Sequence, residues 1–219
     1  MKNTEKDNRI KDGVMLDVYV MKLPKRERSA VLYPPEREEK VKACKSDKVQ
    51  AQKYYVWKLL EYALENSFQC KITDLKFIKN ERGKWTSPFC FFSLSHSENA
   101  LAVALSNSEV GVDIEKLTPH KNDFLQKILT EEERKEFSAV SAEAQTEYLL
   151  GKWTGKESIF KTLDKPRFRP EKMDAAAHSV ESKRIEIDGE EYMLSVAAER
   201  PFKARYFFDE GEKFLDKQR

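Results

Sequence analysis

Asp113 and Glu115 sit two residues apart in Val110-Gly111-Val112-Asp113-Ile114-Glu115-Lys116, among apolar neighbours. In an extended strand the side-chain period is 2, so both carboxylates point to one face. Some forty residues on, Trp153-Thr154-Gly155-Lys156-Glu157-Ser158-Ile159-Phe160-Lys161 reads as helix. Its Glu157 and Lys161 stand at i and i+4 and therefore share a face. If strand and helix pack together, three carboxylates converge with an ammonium beside them. That donor set suits a hard cation such as Mg²⁺ holding a phosphate ester.

The surrounding pattern supplies elements to position these groups. Leu16 to Met21 alternates as a strand, Pro34-Pro35 breaks the chain, and a helical region runs from Glu36 to about Asn66. Ser46-Asp47 caps a second helix within that region. Ile72 to Ile78 reads as a strand before the Arg82-Gly83-Lys84 turn. Phe89–Leu94 and Ala100–Leu105 are strand-like, separated by Ser95-His96-Ser97-Glu98-Asn99. Thr130-Glu131-Glu132-Glu133 has the form of a capping box, and a helix is expected from about Ala142 through Lys161, although Gly151 and Gly155 weaken it. Pro166 and Pro170 mark a loop. Arg184–Ile187 and Glu191–Val196 flank Asp188-Gly189, a hairpin signal, and Ala204–Phe208 is a last strand. Strand, helices, then further strands occur twice in this order. The expectation is an α+β fold of two halves, 1–106 and 107–219.

Composition excludes more than it selects. Forty basic residues against 38 acidic leave a net charge of +2 over 219 residues, whereas a dedicated nucleic-acid binder carries a larger, clustered excess. No apolar run approaches the roughly 20 residues that cross a bilayer, and Met1 to Asp12 lacks an apolar signal core. A cytoplasmic protein with no membrane or nucleic-acid partner is expected. The three cysteines, Cys44, Cys70 and Cys90, form no Cys-x-x-Cys pair, so a disulfide framework or thiolate zinc site is not indicated. Three scattered histidines (His96, His120 and His178) do not suggest a His-rich metal site either.

Both chemical motifs resemble the 4′-phosphopantetheinyl transferase superfamily, specifically its longer surfactin-synthetase-activating type. That family carries Gly-Val/Ile-Asp-x-Glu and, some forty residues later, Trp-x-x-Lys-Glu-x-x-x-Lys; "VGVDIEK" and "WTGKESIFK" match in full. Upstream, "FSLSHS" at 92–97 is similar to the family's Ser-His motif, and Arg82-Gly83-Lys84 to its Gly-Lys element. Pro35 to Lys40 resembles its basic segment near the 3′-phosphate of coenzyme A. Where the family often has an Arg in the next helix, this chain has Gln52 followed by Lys53.

The resemblance implies two similar subdomains related by a pseudo-twofold axis, with the active site in the cleft between them. It implies a monomer of the holo-[acyl-carrier-protein] synthase type. Such an enzyme moves 4′-phosphopantetheine from coenzyme A to a serine of an acyl or peptidyl carrier protein and releases adenosine 3′,5′-bisphosphate. Asp113, Glu115 and Glu157 would hold Mg²⁺, and Mn²⁺ suits the same oxygens. Glu157 would also be the base, directly or through a metal-bound water, and Lys161 would balance charge on the leaving oxygen. Arg37, Lys40, Lys84, Ser95, His96, Lys156 and Lys161 would contact the cofactor. Apart from the resemblance, the apolar residues of the second half around Phe124 to Leu129 are a candidate contact for the carrier.

Taken one at a time these residues are ordinary. An i,i+4 Glu–Lys pair decorates many helices, and two carboxylates on a strand often face water. Their joint occurrence, in order, is what surface charge does not explain. Two rivals remain. A nucleic-acid- or protein-binding module would use the lysine-rich stretches around Lys40–Lys58 and Arg167–Lys172. A different Mg²⁺-dependent phosphoryl-transfer enzyme would use the same three carboxylates, although no P-loop is present.

Overall fold

The structure, a computed structural model, describes residues 14–25, 28, 30–81, 83–118, 122–163, 167–173, 175, 178–208 and 215. The polar segment 1–12, Arg82, His120 and Pro166 lie outside these residues. Strand β1 (Val14–Lys22) leads to helices α1 (Pro35–Lys42) and α2 (Asp47–Phe68). Two short strands, β2 (Ile78–Lys79) and β3 (Trp85–Thr86), precede the hairpin of β4 (Phe91–Ser97) and β5 (Ala100–Ser106). The second half opens with β6 (Val110–Lys116) and continues through α3 (Asn122–Leu125), α4 (Glu131–Ser138) and α5 (Gln145–Thr162). A second hairpin, β7 (Ser179–Ile187) and β8 (Glu190–Ala198), leads to β9 (Phe202–Phe208). The expected mixed α+β class is what the described residues form.

Two sheets dominate, ordered β4-β5-β1-β9 and β6-β8-β7. They pack face to face. Leu16, Val18 and Val20 of β1 and Ala100, Ala102 and Ala104 of β5 meet Val110, Val112 and Ile114 of β6 and Leu194 and Val196 of β8 in one buried core. The opposite face of the first sheet carries Tyr19, Phe92, Leu101, Val103 and Leu105 against Trp57, Leu60 and Leu64 of α2. Met193 of β8 meets Leu149 and Leu150 of α5, with Leu125 of α3 beside them. The layers thus run helix, sheet, sheet, helix, and the middle core explains why β5, covered on both faces, is buried throughout.

Local signals account for most element ends. Ser46 Oγ accepts the Val49 N–H at 3.4 Å to cap α2. At Thr130 both halves of the capping box form: its hydroxyl accepts the Glu133 N–H at 3.3 Å, and Glu133 accepts the Thr130 N–H at 2.9 Å. Asp188 and Gly189 adopt φ of 55° and 74°, the left-handed pair that a two-residue hairpin requires.

Three expectations change. Ile72–Ile78 is not a strand: Ile72–Asp74 forms a 3₁₀ turn that buries Ile72 and Leu75 beside α2, and only Ile78–Lys79 pairs, with β3. The polar run Ser95-His96-Ser97 does not separate two strands, because β4 continues through Ser97 and turns at Glu98 and Asn99. Finally, β9 leaves the second half and lies parallel to β1, Val14 opposite Phe202 and Val20 opposite Phe208. The first sheet therefore takes its edge strand from the end of the described chain.

Candidate active site

Strand β6 is where the chemistry is set. Its even-numbered residues Val112 and Ile114 enter the core between the sheets, which leaves Gly111, Asp113 and Glu115 on the other face, toward α5. Gly111 makes that approach close. A Cβ there would lie 1.8 Å from the Ser158 carbonyl oxygen of α5 and 3.1 Å from Lys161 Cβ. Only a residue without a side chain lets α5 descend this far, and α5 brings Glu157 and Lys161 with it.

Lys161 Nζ donates to Asp113 Oδ1 and to the Val112 carbonyl, both at 2.8 Å. Asp113 Oδ1 also accepts from Ser95 Oγ at 2.8 Å, whereas Asp113 Oδ2 is buried without a partner. A buried carboxylate oxygen with no donor is costly unless something cationic completes it. Glu157 shows the same need: burial, then the neighbouring Asp113 and Glu115, push its carboxyl up to about 6, with Lys161 opposing. Among the described residues no group of three or more His, Cys, Asp or Glu side chains is arranged to hold a metal ion. What fits a hard divalent cation is the chemistry of the donor set: Asp113 Oδ2 is buried without a donor, and Glu115 and Glu157 add only oxygen.

Strand β4 faces this group with alternating serines. The hydroxyls of Ser93, Ser95 and Ser97 accept the main-chain N–H groups of Val112, Ile114 and Lys116 at 3.0, 3.3 and 3.2 Å. Ser97 in turn donates to Glu115 Oε2 at 2.8 Å. Ser95 was expected at a phosphate, but its single proton goes to Asp113, leaving none for an acceptor ligand. It orients the carboxylate instead.

On the opposite face of β4, His96 looks toward the helices of the first half. Burial lowers its pKa, and Lys161, Lys53 and Arg37 lower it further. Those causes map a cationic neighbourhood. Arg37 is nearly buried over the Trp57 ring, 4.7 Å from its centre, donates to the Lys53 carbonyl at 2.6 Å and keeps Nε without a partner. Burial draws its guanidinium down to about 10, so it stays charged at neutral pH. Lys53 Nζ lies 3.1 Å from Cys44 Sγ. Gln52 bonds the Glu98 carbonyl at 2.9 Å, and Lys53 is the α2 residue whose charge acts on the histidine. A cation thus stands one position after Gln52. Lys40 is exposed beside Lys79, whose ammonium sits 4.3 Å from the Trp85 ring centre.

Lys84 crosses from the first half to the second, donating to the Lys161 carbonyl at 2.6 Å at the end of α5. Beside it opens a cleft of about 370 Å³ whose walls include Lys84, Trp85, Phe92, Leu94, Phe160 and Lys161. Residues of both halves line it. Lys156 is the clear exception among the expected ligands. It is fully buried on another side of α5, where its ammonium donates to the Ile128 carbonyl at 2.8 Å, the Pro170 carbonyl at 2.9 Å and Glu133 Oε2 at 2.5 Å. All three N–H bonds are in use inside the protein, so it is a structural ion pair and takes no phosphate. Cys44, Cys70 and Cys90 are free thiols, and no helix among the described residues is long and apolar enough to cross a membrane.

Residues 109–206 match the family model described as the 4′-phosphopantetheinyl transferase superfamily. Over 106 residues the chain is 27% identical to 4′-phosphopantetheinyl transferase Sfp of Bacillus subtilis, covering 47% of each chain. It is 31% identical over 98 residues to the 4′-phosphopantetheinyl transferase gsp of Aneurinibacillus migulanus, covering 44% of this chain and 41% of that one. A holo-[acyl-carrier-protein] synthase of Mycoplasma capricolum is 39% identical over 61 residues, which are 27% of this chain and 56% of that protein. The chain thus spans about half the length of the curated relatives it matches, and the resemblance drawn from the two motifs is borne out.

Proposed function

We propose that this chain transfers the 4′-phosphopantetheine group of coenzyme A to a serine hydroxyl of an acyl or peptidyl carrier protein, with Mg²⁺ and with release of adenosine 3′,5′-bisphosphate. The observation that carries the proposal is the unpartnered Asp113 Oδ2 beside Glu157 and Glu115, with Lys161 on the other oxygen of Asp113. A metal ion held by Asp113, Glu115 and Glu157 would neutralise the cofactor's diphosphate; Mn²⁺ would serve in the same oxygen set.

The chain's own groups divide the remaining work. Arg37, Lys53 and His96, with Lys40 at the rim, form a seat for a phosphate of the cofactor. The apolar part of the cleft beside Phe160 and Trp85 suits its uncharged portion. Glu157, with its raised pKa, takes the proton of the carrier serine. The serine oxygen bonds to the phosphorus bearing the pantetheine arm, and the bond from that phosphorus to the bridging oxygen breaks. Lys161 stabilises the charge that collects on the departing bisphosphate.

The two halves, 1–106 and 107–219, act as related subdomains in this reading. What supports it is their common order, with β4-β5-β1 in one sheet matching β7-β8-β6 in the other. The protein would work as a cytoplasmic monomer with no nucleic-acid or membrane partner. Intact-mass spectrometry of a purified apo carrier, incubated with this protein, coenzyme A and Mg²⁺, tests the proposal. A gain of one phosphopantetheine group, abolished by EDTA, is expected. No gain on any of several carriers, together with no binding of coenzyme A, would overturn it.

A further inference from the structure

We propose that Ser95 and Ser97 of β4 are positioning residues that hold the metal carboxylates Asp113 and Glu115 at the edge of β6. The inference rests on the transferase reading of this site. Its basis is a set of five hydrogen bonds between strands that share no ladder. Every second residue of β4 from Ser93 to Ser97 turns its hydroxyl to β6, where each accepts one main-chain N–H. A side-chain oxygen thus stands where a neighbouring strand's carbonyl would otherwise be. The facing residues of β5, in register with these serines, are Ala104, Ala102 and Ala100, and their small side chains leave room for β6 to come near.

The three serines are not equivalent. Ser93 bonds only the main chain of β6, whereas Ser95 also donates to Asp113 at 2.8 Å and Ser97 also donates to Glu115 at 2.8 Å. A hydroxyl with its oxygen anchored on a main-chain N–H has its proton directed, so each donates along one line. Asp113 is thereby turned so that Oδ1 meets Ser95 and Lys161 while Oδ2 is left for a ligand. Bonds of this kind to ligating carboxylates typically matter by about 10- to 100-fold in metal affinity.

Ser93 supplies the internal control. Ser93→Ala removes one bond of the seam and no carboxylate bond; Ser97→Ala removes one of each. We would titrate Mn²⁺ into the whole chain with coenzyme A present, follow it by electron paramagnetic resonance, and record melts in EDTA. The expected result is a loss of about 10-fold or more in Mn²⁺ affinity for Ser95→Ala and Ser97→Ala, with Ser93→Ala close to wild type and Ser97→Thr restored. In a Glu115→Gln background Ser97→Ala should cost no more Mn²⁺ affinity than Ser93→Ala. Equal losses for the Ser93 and Ser97 variants, or a Ser97 effect that survives Glu115→Gln, would overturn the inference and leave the serines as seam only. Failure of the wild-type protein to bind Mn²⁺ would instead overturn the transferase reading beneath it. Melts of the Ala variants separate a folding defect from a metal defect, and Ser97→Thr keeps the test decisive if Ser97→Ala does not fold.

Discussion

The two halves of this molecule share an order of strands and differ in the charges they bring to their joint. The first half supplies Arg37, Lys53, Lys84 and His96; the second supplies Asp113, Glu115 and Glu157, with Lys161 standing between them. A net charge of +2 hides this division completely. Neither set is useful alone. Burial first, then the neighbouring carboxylates, raises the pKa of Glu157, and burial first, then the neighbouring cations, lowers that of His96. In the proposed function a diphosphate with its cation would relieve both at once, and the contrast between the halves would itself be the recognition element.

Breaking the acidic side at its centre should have the largest effect. Glu157→Gln is expected to slow carrier modification by about 10²- to 10⁴-fold, read as the rate of mass gain. The same change should stabilise the metal-free protein. A carboxyl at about 6 when folded, above its ordinary value, holds its proton more tightly in the folded state, so stability through this group falls as pH rises between about 4.5 and 6. Glu157→Gln should therefore raise the melting temperature in EDTA at pH 7 to 8 and make no difference below about pH 4. An unchanged melting temperature at pH 8 would remove the strain assigned to this carboxylate.

Next in size is the contrast between the two lysines of α5. Lys156→Met leaves Glu133 buried with its closest partner gone, and should cost about 3 kcal/mol of stability by denaturant titration while the folded protein binds coenzyme A as before. A weakened coenzyme A affinity in a fully folded Lys156→Met protein would return that lysine to the ligand set. Gly111→Ala tests the approach of strand and helix. Its Cβ would meet the Ser158 carbonyl, and the resulting displacement should lower transfer by about 100-fold, with a loss of about 1–3 kcal/mol.

On the basic side, Lys53→Ala should weaken coenzyme A binding by about 10-fold in calorimetry, the worth of one charge-assisted hydrogen bond, whereas Gln52→Ala should not. The smallest effect belongs to Gly151→Ala. Its added methyl meets nothing nearer than Met193 Sδ at 4.0 Å, so helix propensity alone should add up to about 1 kcal/mol. A loss of activity there would mean that α5 must flex.

Those expectations mark what can be read from order alone. The period of 2 in Val110 to Lys116 and the i,i+4 spacing of Glu157 and Lys161 are local properties, so strand, helix and shared faces were all legible. Thr130 and Asp188-Gly189 likewise carry their structural meaning within four residues. Lys156 reads as a ligand in sequence because its partner, Glu133, is 23 residues away, and Glu133 is already accounted for by its own capping box. Ser95 and Ser97 read as a break because polar residues usually end a strand; here a second strand supplies N–H groups to receive them. The role of Lys53 depends on which way α2 is rotated, and β9 on a pairing across nearly the whole chain. Distance in sequence, more than residue type, separates the legible from the illegible.

That last pairing has a consequence in time. Strand β1 is bounded on one side by β5, made within the same half, and on the other by β9, whose first paired residue is Phe202. As the chain leaves the ribosome, the Val14–Val20 edge has no partner until the rest of both sheets has been synthesised. An open, apolar strand edge invites pairing with other chains, and so remote a contact closes slowly. Production of the intact protein therefore hinges on β9: shortened before Phe202, the chain should collect as aggregate even though every residue of the proposed active site has been translated.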